Sequence, residues 1–121
     1  MAKQKILVTG SSGQVGRALC ALFENDIQAE VFPLTHKDLD ISSRDAVRRT
    51  VFSIEPNVIV NTAAMTNVDL CETKQDEAYA INSLGVRNLT QASRDIDAQL
   101  VHISTDYVFD GEKKSPYTEF D

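Results

Sequence analysis

Lys5-Ile-Leu-Val-Thr-Gly-Ser-Ser-Gly-Gln-Val-Gly16 is a short apolar run that breaks into three glycines spaced three residues apart. Ile6, Leu7 and Val8 make a run too short for a helix, and the glycines that follow argue for a buried parallel strand covered on both faces. Gly10 then permits a sharp turn, Gly13 lets the backbone approach a ligand closely, and Gly16 lets the next helix pack onto the sheet. From Val15 the apolar residues Val15, Ala18, Leu19, Leu22 and Phe23 fall at helical spacing and predict one buried helix face. The unpaired N–H groups at that helix start, together with the positive end of its dipole, suit a pyrophosphate. Strand, turn and helix together predict a dinucleotide site, which a glycine triplet without that context would not.

Composition narrows the function classes. The 121 residues suit one domain, and 42% hydrophobic with 25% charged residues is an ordinary balance for a protein with a core. A net charge of −6 lacks the basic footprint of general nucleic-acid or membrane-surface binding, although a helix start can still take an anion locally. No apolar run approaches the roughly 20 residues of a membrane span, and no signal-peptide core follows Lys3 and Lys5. The expected setting is cytoplasmic. Cys20 and Cys71 are too few for a disulfide framework or zinc site, so both read as plain thiols and no metal is expected. Asn88-Leu-Thr90 matches a glycosylation sequon, which carries no meaning in a cytosolic chain.

Working outward, Ala29 to Leu34 reads as a second strand, kept to an edge or strand end by Pro33. The polar loop Thr35 to Asp40 follows. Ser42 or Ser43 caps a helix with the apolar stripe Val47, Val51 and Ile54, ended by Pro56. Val58 to Val60 is a third strand, followed by Asn61-Thr-Ala-Ala64 and a polar loop containing Thr66, Asn67, Asp69 and Glu72. A long helix runs from about Gln75 to Asp95, with Ala78, Ile81, Gly85, Leu89 and Ala92 facing inward. Leu100 to Ile103 is a fourth strand, and Ser104 to Gly111 follows its end. Alternating strands and helices predict an α/β, Rossmann-like, doubly wound parallel sheet in three α/β/α layers, with strand order 2-1-3-4. The ligand crevice belongs at the carboxyl ends of the first and third strands, where the order reverses, and Gly10 to Gly16, Asn61 to Thr66 and Ser104 to Gly111 are all expected to converge on it.

TGSSGQVG, LDI at Leu39 to Ile41, VIVNTAAMTNVDLCE from Val58 to Glu72, Ile81-Asn82 and STDYVFDG resemble the N-terminal part of the extended short-chain dehydrogenase/reductase family, in particular its members that reduce a 4-keto dTDP-sugar. The resemblance runs the whole length, so residues 1–121 are expected to form one NAD(P)-binding domain, incomplete relative to the family. It implies that Gly13, Gln14 and Val15, with Gly10 and Gly16, contact the cofactor pyrophosphate, and that Asp40 and Ile41 flank the adenine. Ala63, Ala64, Met65 and Thr66 would line the ribose and nicotinamide end. Thr105 would be the hydroxyl residue of the family's catalytic set, donating to the sugar C4 carbonyl, with Asp106 beside it at the substrate. The family also allows a homodimer.

Other residues have plainer readings. Asn82 is expected inside, satisfied by backbone groups, His102 is expected to be a hydrogen-bonded core histidine, and Asp110-Gly111 reads as a turn. His36 falls where the adenosine ribose belongs. Near it, Lys37, with Arg17 in reach, suits a 2′-phosphate and Asp38 a 2′-hydroxyl, so NADPH is expected to bind at least as well as NADH.

One departure is large. The family uses a Tyr with a Lys four residues later, whereas here Tyr79 is followed at that spacing by Ser83, Tyr107 by Gly111 and Tyr117 by Asp121. The expectation is therefore the cofactor-binding part of a longer reductase, truncated before its catalytic pair and substrate-binding half, and inactive alone. Two other functions stay open: a sugar-nucleotide epimerase or dehydratase of the same superfamily, and a non-catalytic regulatory subunit similar to that of methionine adenosyltransferase.

Overall fold

A computed structural model describes residues 2–121. Its sheet has the order β2-β1-β3-β4, all parallel, from β1 (Gln4–Thr9), β2 (Ala29–Leu34), β3 (Val58–Asn61) and β4 (Gln99–His102). Pro33 thus sits in an edge strand, where its missing N–H is harmless. Successive residues of β1 point to opposite faces. Leu7 packs with Ile59 against α2 (Arg44–Ile54) and α5 (Val86–Asp95), through Val47, Val51, Leu89 and Ala92. Ile6 and Val8 pack with Val60 against Cys20 of α1 (Gln14–Glu24) on the other face. These are the three predicted layers. Full burial of Leu7, Ile59 and Leu89 contributes roughly 1.5–3 kcal/mol each.

Three local features differ from the sequence reading. In α1 the buried residues are Gly16 and Cys20, with Leu19 and Phe23 packed beside them, while Val15 and Leu22 are 47% and 66% exposed. Ala18 is exposed as well, and the helix docks at Gly16, where a Cβ would collide with the Gly10 carbonyl, so this closest backbone approach sets its rotation. Burial, followed by the nearby Glu24 carboxylate, raises the Cys20 thiol pKa. The loop after β3 contains a further helix, α3 (Val68–Thr73), which buries no residue and is started by the Asn67 side chain accepting from Leu70 N–H. The long helix is α4 (Gln75–Tyr79), a π-helical segment Ala80–Gly85, and α5. A π turn carries an extra residue that a 3.6-residue pattern does not reveal.

Ser43 accepts from Ala46 N–H and is the cap of α2. Asp110 accepts from Glu112 N–H, the expected turn, and the C-terminal segment is closed by stacking of Phe109 on Tyr117 at 4.2 Å. Among the described residues no helix is long and apolar enough to cross a membrane, and no three His, Cys, Asp or Glu side chains gather in a metal-binding group.

Candidate functional site

The carboxyl ends of β1 and β3 are tied together by polar groups. Thr9 Oγ1 donates to Asn61 Oδ1 at 2.6 Å, and Ala63 N–H donates to the same oxygen at 3.2 Å. Asn61 Nδ2 therefore donates to His102 Nδ1, 3.1 Å away, and the ring proton of neutral His102 is on Nε2. Among the described residues β4 is an edge strand, and His102 at its end is exposed rather than in the core. Thr62 Oγ1 donates to the carbonyls of Thr9 and Gly10 at 2.7 and 3.1 Å. These bonds press the post-β3 loop onto the glycine turn. Gly10 has φ +65°, and a Cβ there would come within 2.7 Å of Ala63 N, so glycine is required twice over.

Between these loops opens a crevice of about 320 Å³. Gly10, Gly13, Asp40, Ile41, Ala63, Ala64 and Met65 line it, which brings together the predicted pyrophosphate, adenine and nicotinamide groups. His36 lines it too. Gln14 and Val15 lie at the exposed start of α1, and Gly16 is buried against the turn. Thr66 and Lys37 are exposed and outside the lining. Ser12 and Thr62, within the segments expected at the crevice, and Leu39 and Ile81, to which no site role was given, also line it. Thr62 directly follows a strand end at the switch point, which was a usable signal. Ile81 belongs to the π segment, which left none.

The crevice suits a pyrophosphate. Gly13, the N-cap of α1, makes no side-chain cap bond, whereas α2 has its Ser43 cap. The first-turn N–H groups of α1 are thus left for a ligand. The carboxylates of the Thr35 to Asp40 loop are already ordered. The Asp40 carboxylate accepts from Ser42 Oγ–H at 2.7 Å and Ser42 N–H at 3.0 Å. The hydroxyl bond is the main reason its pKa is lowered, against some burial, with His36 adding to the lowering. Asp38 turns back on its own loop, accepting from Thr35 N–H at 2.8 Å and Thr35 Oγ–H at 2.9 Å, and those two bonds lower its pKa. A carboxylate so engaged is not aimed at a ribose.

Asn82 is exposed, not buried, and clamps the other end of the crevice. It accepts from Met65 N–H at 2.8 Å and donates to Met65 O at 3.0 Å. Asn82→Ala is expected to speed hydrogen exchange of the Met65 amide about ten-fold, since each such bond contributes on the order of 1 kcal/mol. Amide exchange followed by NMR checks this, and an unchanged Met65 rate refutes the clamp.

The segment Ser104 to Gly111 does not converge on the crevice as expected: Thr105 and Asp106 lie beyond β4, exposed and outside its lining, because the 3-10 turn there packs with the C-terminal segment through Phe109 and Tyr117. Thr105 Oγ1 accepts from Tyr107 N–H at 3.2 Å and caps the 3-10 turn Asp106–Val108. Its own proton has only Asp106 Oδ1 at 3.5 Å, too long for a strong bond, so the hydroxyl can still donate. A second hollow of about 500 Å³, walled by Val108 to Asp121, holds none of the predicted cofactor residues.

The family profile described as RmlD substrate binding domain matches residues 4–121. The chain is 42% identical over 117 residues to the dTDP-4-dehydrorhamnose reductase of Aggregatibacter actinomycetemcomitans, covering 97% of this chain and 40% of that protein. The structure of a dTDP-4-dehydrorhamnose reductase from Clostridium acetobutylicum superposes with a TM-score of 0.90 at 47% identity, over 98% of this chain and 42% of that one. A dTDP-4-dehydrorhamnose reductase from Bacillus anthracis, solved in complex with NADP, gives 0.87 at 40% identity over 92% and 39%. The chain spans about two fifths of the length of these relatives.

Proposed function

Because this chain belongs to the family of the RmlD substrate binding domain, we propose that it is the NADPH-binding portion of a dTDP-4-dehydrorhamnose reductase, the enzyme that reduces the C4 carbonyl of dTDP-4-dehydro-L-rhamnose. The observation that carries the reading is the convergence of the glycine turn, the Asp40–Ile41 turn and the post-β3 loop on one crevice at the switch point. The Bacillus anthracis relative in complex with NADP supports the choice of cofactor. Relatives at 40–47% identity that are reductases favour reduction over epimerisation, dehydration or a regulatory role. A cytoplasmic setting belongs to the same proposal, in keeping with the free thiols Cys20 and Cys71.

In this assignment the first turn of α1, reached past Gly13, holds the pyrophosphate. Asp40 accepts from the adenine amine, and Ile41 packs on its ring. Ala63, Ala64, Met65 and Thr66 line the ribose and nicotinamide. The bound dinucleotide supplies hydride. Thr105 donates its hydroxyl proton in a hydrogen bond to the sugar carbonyl as charge develops there, with Asp106 at the substrate.

Cofactor preference is the first test. Asp38 is held by Thr35, so the loop offers no free carboxylate to select a 2′-hydroxyl, while exposed Lys37 is available to a 2′-phosphate. NADPH is expected to bind at least as tightly as NADH. Lys37→Ala should reduce the NADPH advantage about two- to five-fold, the scale of an exposed ion pair of roughly 0.5–1 kcal/mol. Both dissociation constants, measured by calorimetry at one moderate ionic strength, check this. NADH binding ten-fold tighter than NADPH, or a ratio unmoved by Lys37→Ala, overturns the role of the loop.

A further inference from the structure

Asn88, the residue of the unused sequon, is half-buried on α5 and does not line the crevice. Its Nδ2 donates to Ile41 O at 2.9 Å and to Ser42 O at 3.3 Å, reaching 47 and 46 residues back in the chain. Ile41 is 2% exposed and forms part of the crevice wall. Three residues before Asn88, Gly85 leaves the space that the Ile41 side chain fills, since a Cβ there would stand 2.6 Å from Ile41 Cγ1. The turn that carries Asp40 and Ile41 is therefore gripped from the helix in two ways. Its carbonyls are held by the Asn88 amide, and its side chain is seated against bare helix backbone.

We infer that Asn88 is a positioning residue for the adenosine half of the crevice, acting through the Asp40–Ser42 turn. This rests on the cofactor reading above. Both protons of one nitrogen are used, one to each carbonyl, so the role needs a primary amide. A carboxylate of the same shape cannot donate and faces two carbonyl oxygens, which repels the turn. Asp40 then loses its fixed placement, because its own partner Ser42 moves with the turn. The grip accounts for an amide at a half-buried site whose backbone neighbours need no help from it within the helix.

The test measures the affinity of the protein for adenosine 2′,5′-bisphosphate, which occupies only the adenosine end. Asn88→Asp is expected to weaken it about ten-fold. Arg87→Gly, one residue away and exposed, loosens the same helix without touching the turn and is expected to leave the affinity within two-fold. If Asn88→Asp does not fold, Asn88→Ala lets water reach the two carbonyls and is read against Arg87→Gly in the same way. Equal losses in the Asn88 and Arg87 variants reduce Asn88 to general helix stability and overturn the inference, as does wild-type affinity in a folded Asn88 variant. Failure of the unmutated protein to bind either this fragment or NADPH overturns the cofactor reading itself, and the inference falls with it.

Discussion

Gly13→Val is expected to lower NADPH affinity at least 100-fold while leaving the protein folded. Gly13 has φ −76° and ψ 175°, ordinary extended backbone, so the need for glycine there is not conformational. A Cβ meets only the Gly10 carbonyl oxygen, at 3.3 Å, and nothing else within 4 Å. A Cβ there needs the Gly10 carbonyl to give by only a few tenths of an ångström, so the fold is expected to survive while a branched side chain crowds the uncapped first turn of α1. The ligand loses its approach to those N–H groups. Two charge-assisted hydrogen bonds of about 1.5–3 kcal/mol each amount to roughly 100- to 10,000-fold in affinity. Gly16→Val should behave oppositely, because its Cβ would strike the Gly10 backbone, which cannot yield, and the helix would lift from the sheet. Calorimetry with thermal unfolding on both variants separates the two. A folded Gly13→Val protein with affinity near that of wild type would falsify the assignment of this turn.

The 121-residue chain is expected to bind NADPH yet perform no multiple turnovers of dTDP-4-dehydro-L-rhamnose. None of its tyrosines has the partner lysine: Tyr117 donates its hydroxyl to Asp110, and Tyr107 is 84% exposed beside Thr105. In the proposed role Thr105 would stabilise a developing oxyanion, but no tyrosine here has a lysine four residues later to help it hand that oxygen a proton. General acid catalysis contributes about 10²- to 10⁴-fold, and positioning of the sugar contributes further. Loss of absorbance at the nicotinamide band, followed with NADPH and the keto sugar in excess over protein, checks this. Sustained decay beyond one equivalent means that the proton donor lies among these residues.

Strand order, the glycine turn and the placement of the crevice were legible in the residues alone. Short β-branched runs such as Val58 to Val60 have few alternatives to buried strands, and right-handed crossovers leave little choice of topology. The rotation of α1 was legible only in part: Gly16, Leu19 and Phe23 face the sheet as read, but Val15, Ala18 and Leu22 do not. Hydrophobicity ranks Val15 and Leu22 above Gly16, but contact distance decides docking, and Gly16 permits the closest approach. Helix α3 escaped notice because the Asn67 cap starts it and no apolar face is buried.

The polar ties of the site were the least accessible to sequence reading. Thr9 with Asn61 spans 52 residues, Asn88 with Ile41 spans 47, and Asn82 reaches Met65 from a π turn that breaks helical periodicity. Apolar patterning reports the buried face of most elements, α1 being the partial exception, since burial acts on a whole face rather than on one atom pair. A hydrogen bond depends on the distance and direction of two particular atoms, so which asparagine serves the crevice was decided only when tertiary packing set those elements side by side.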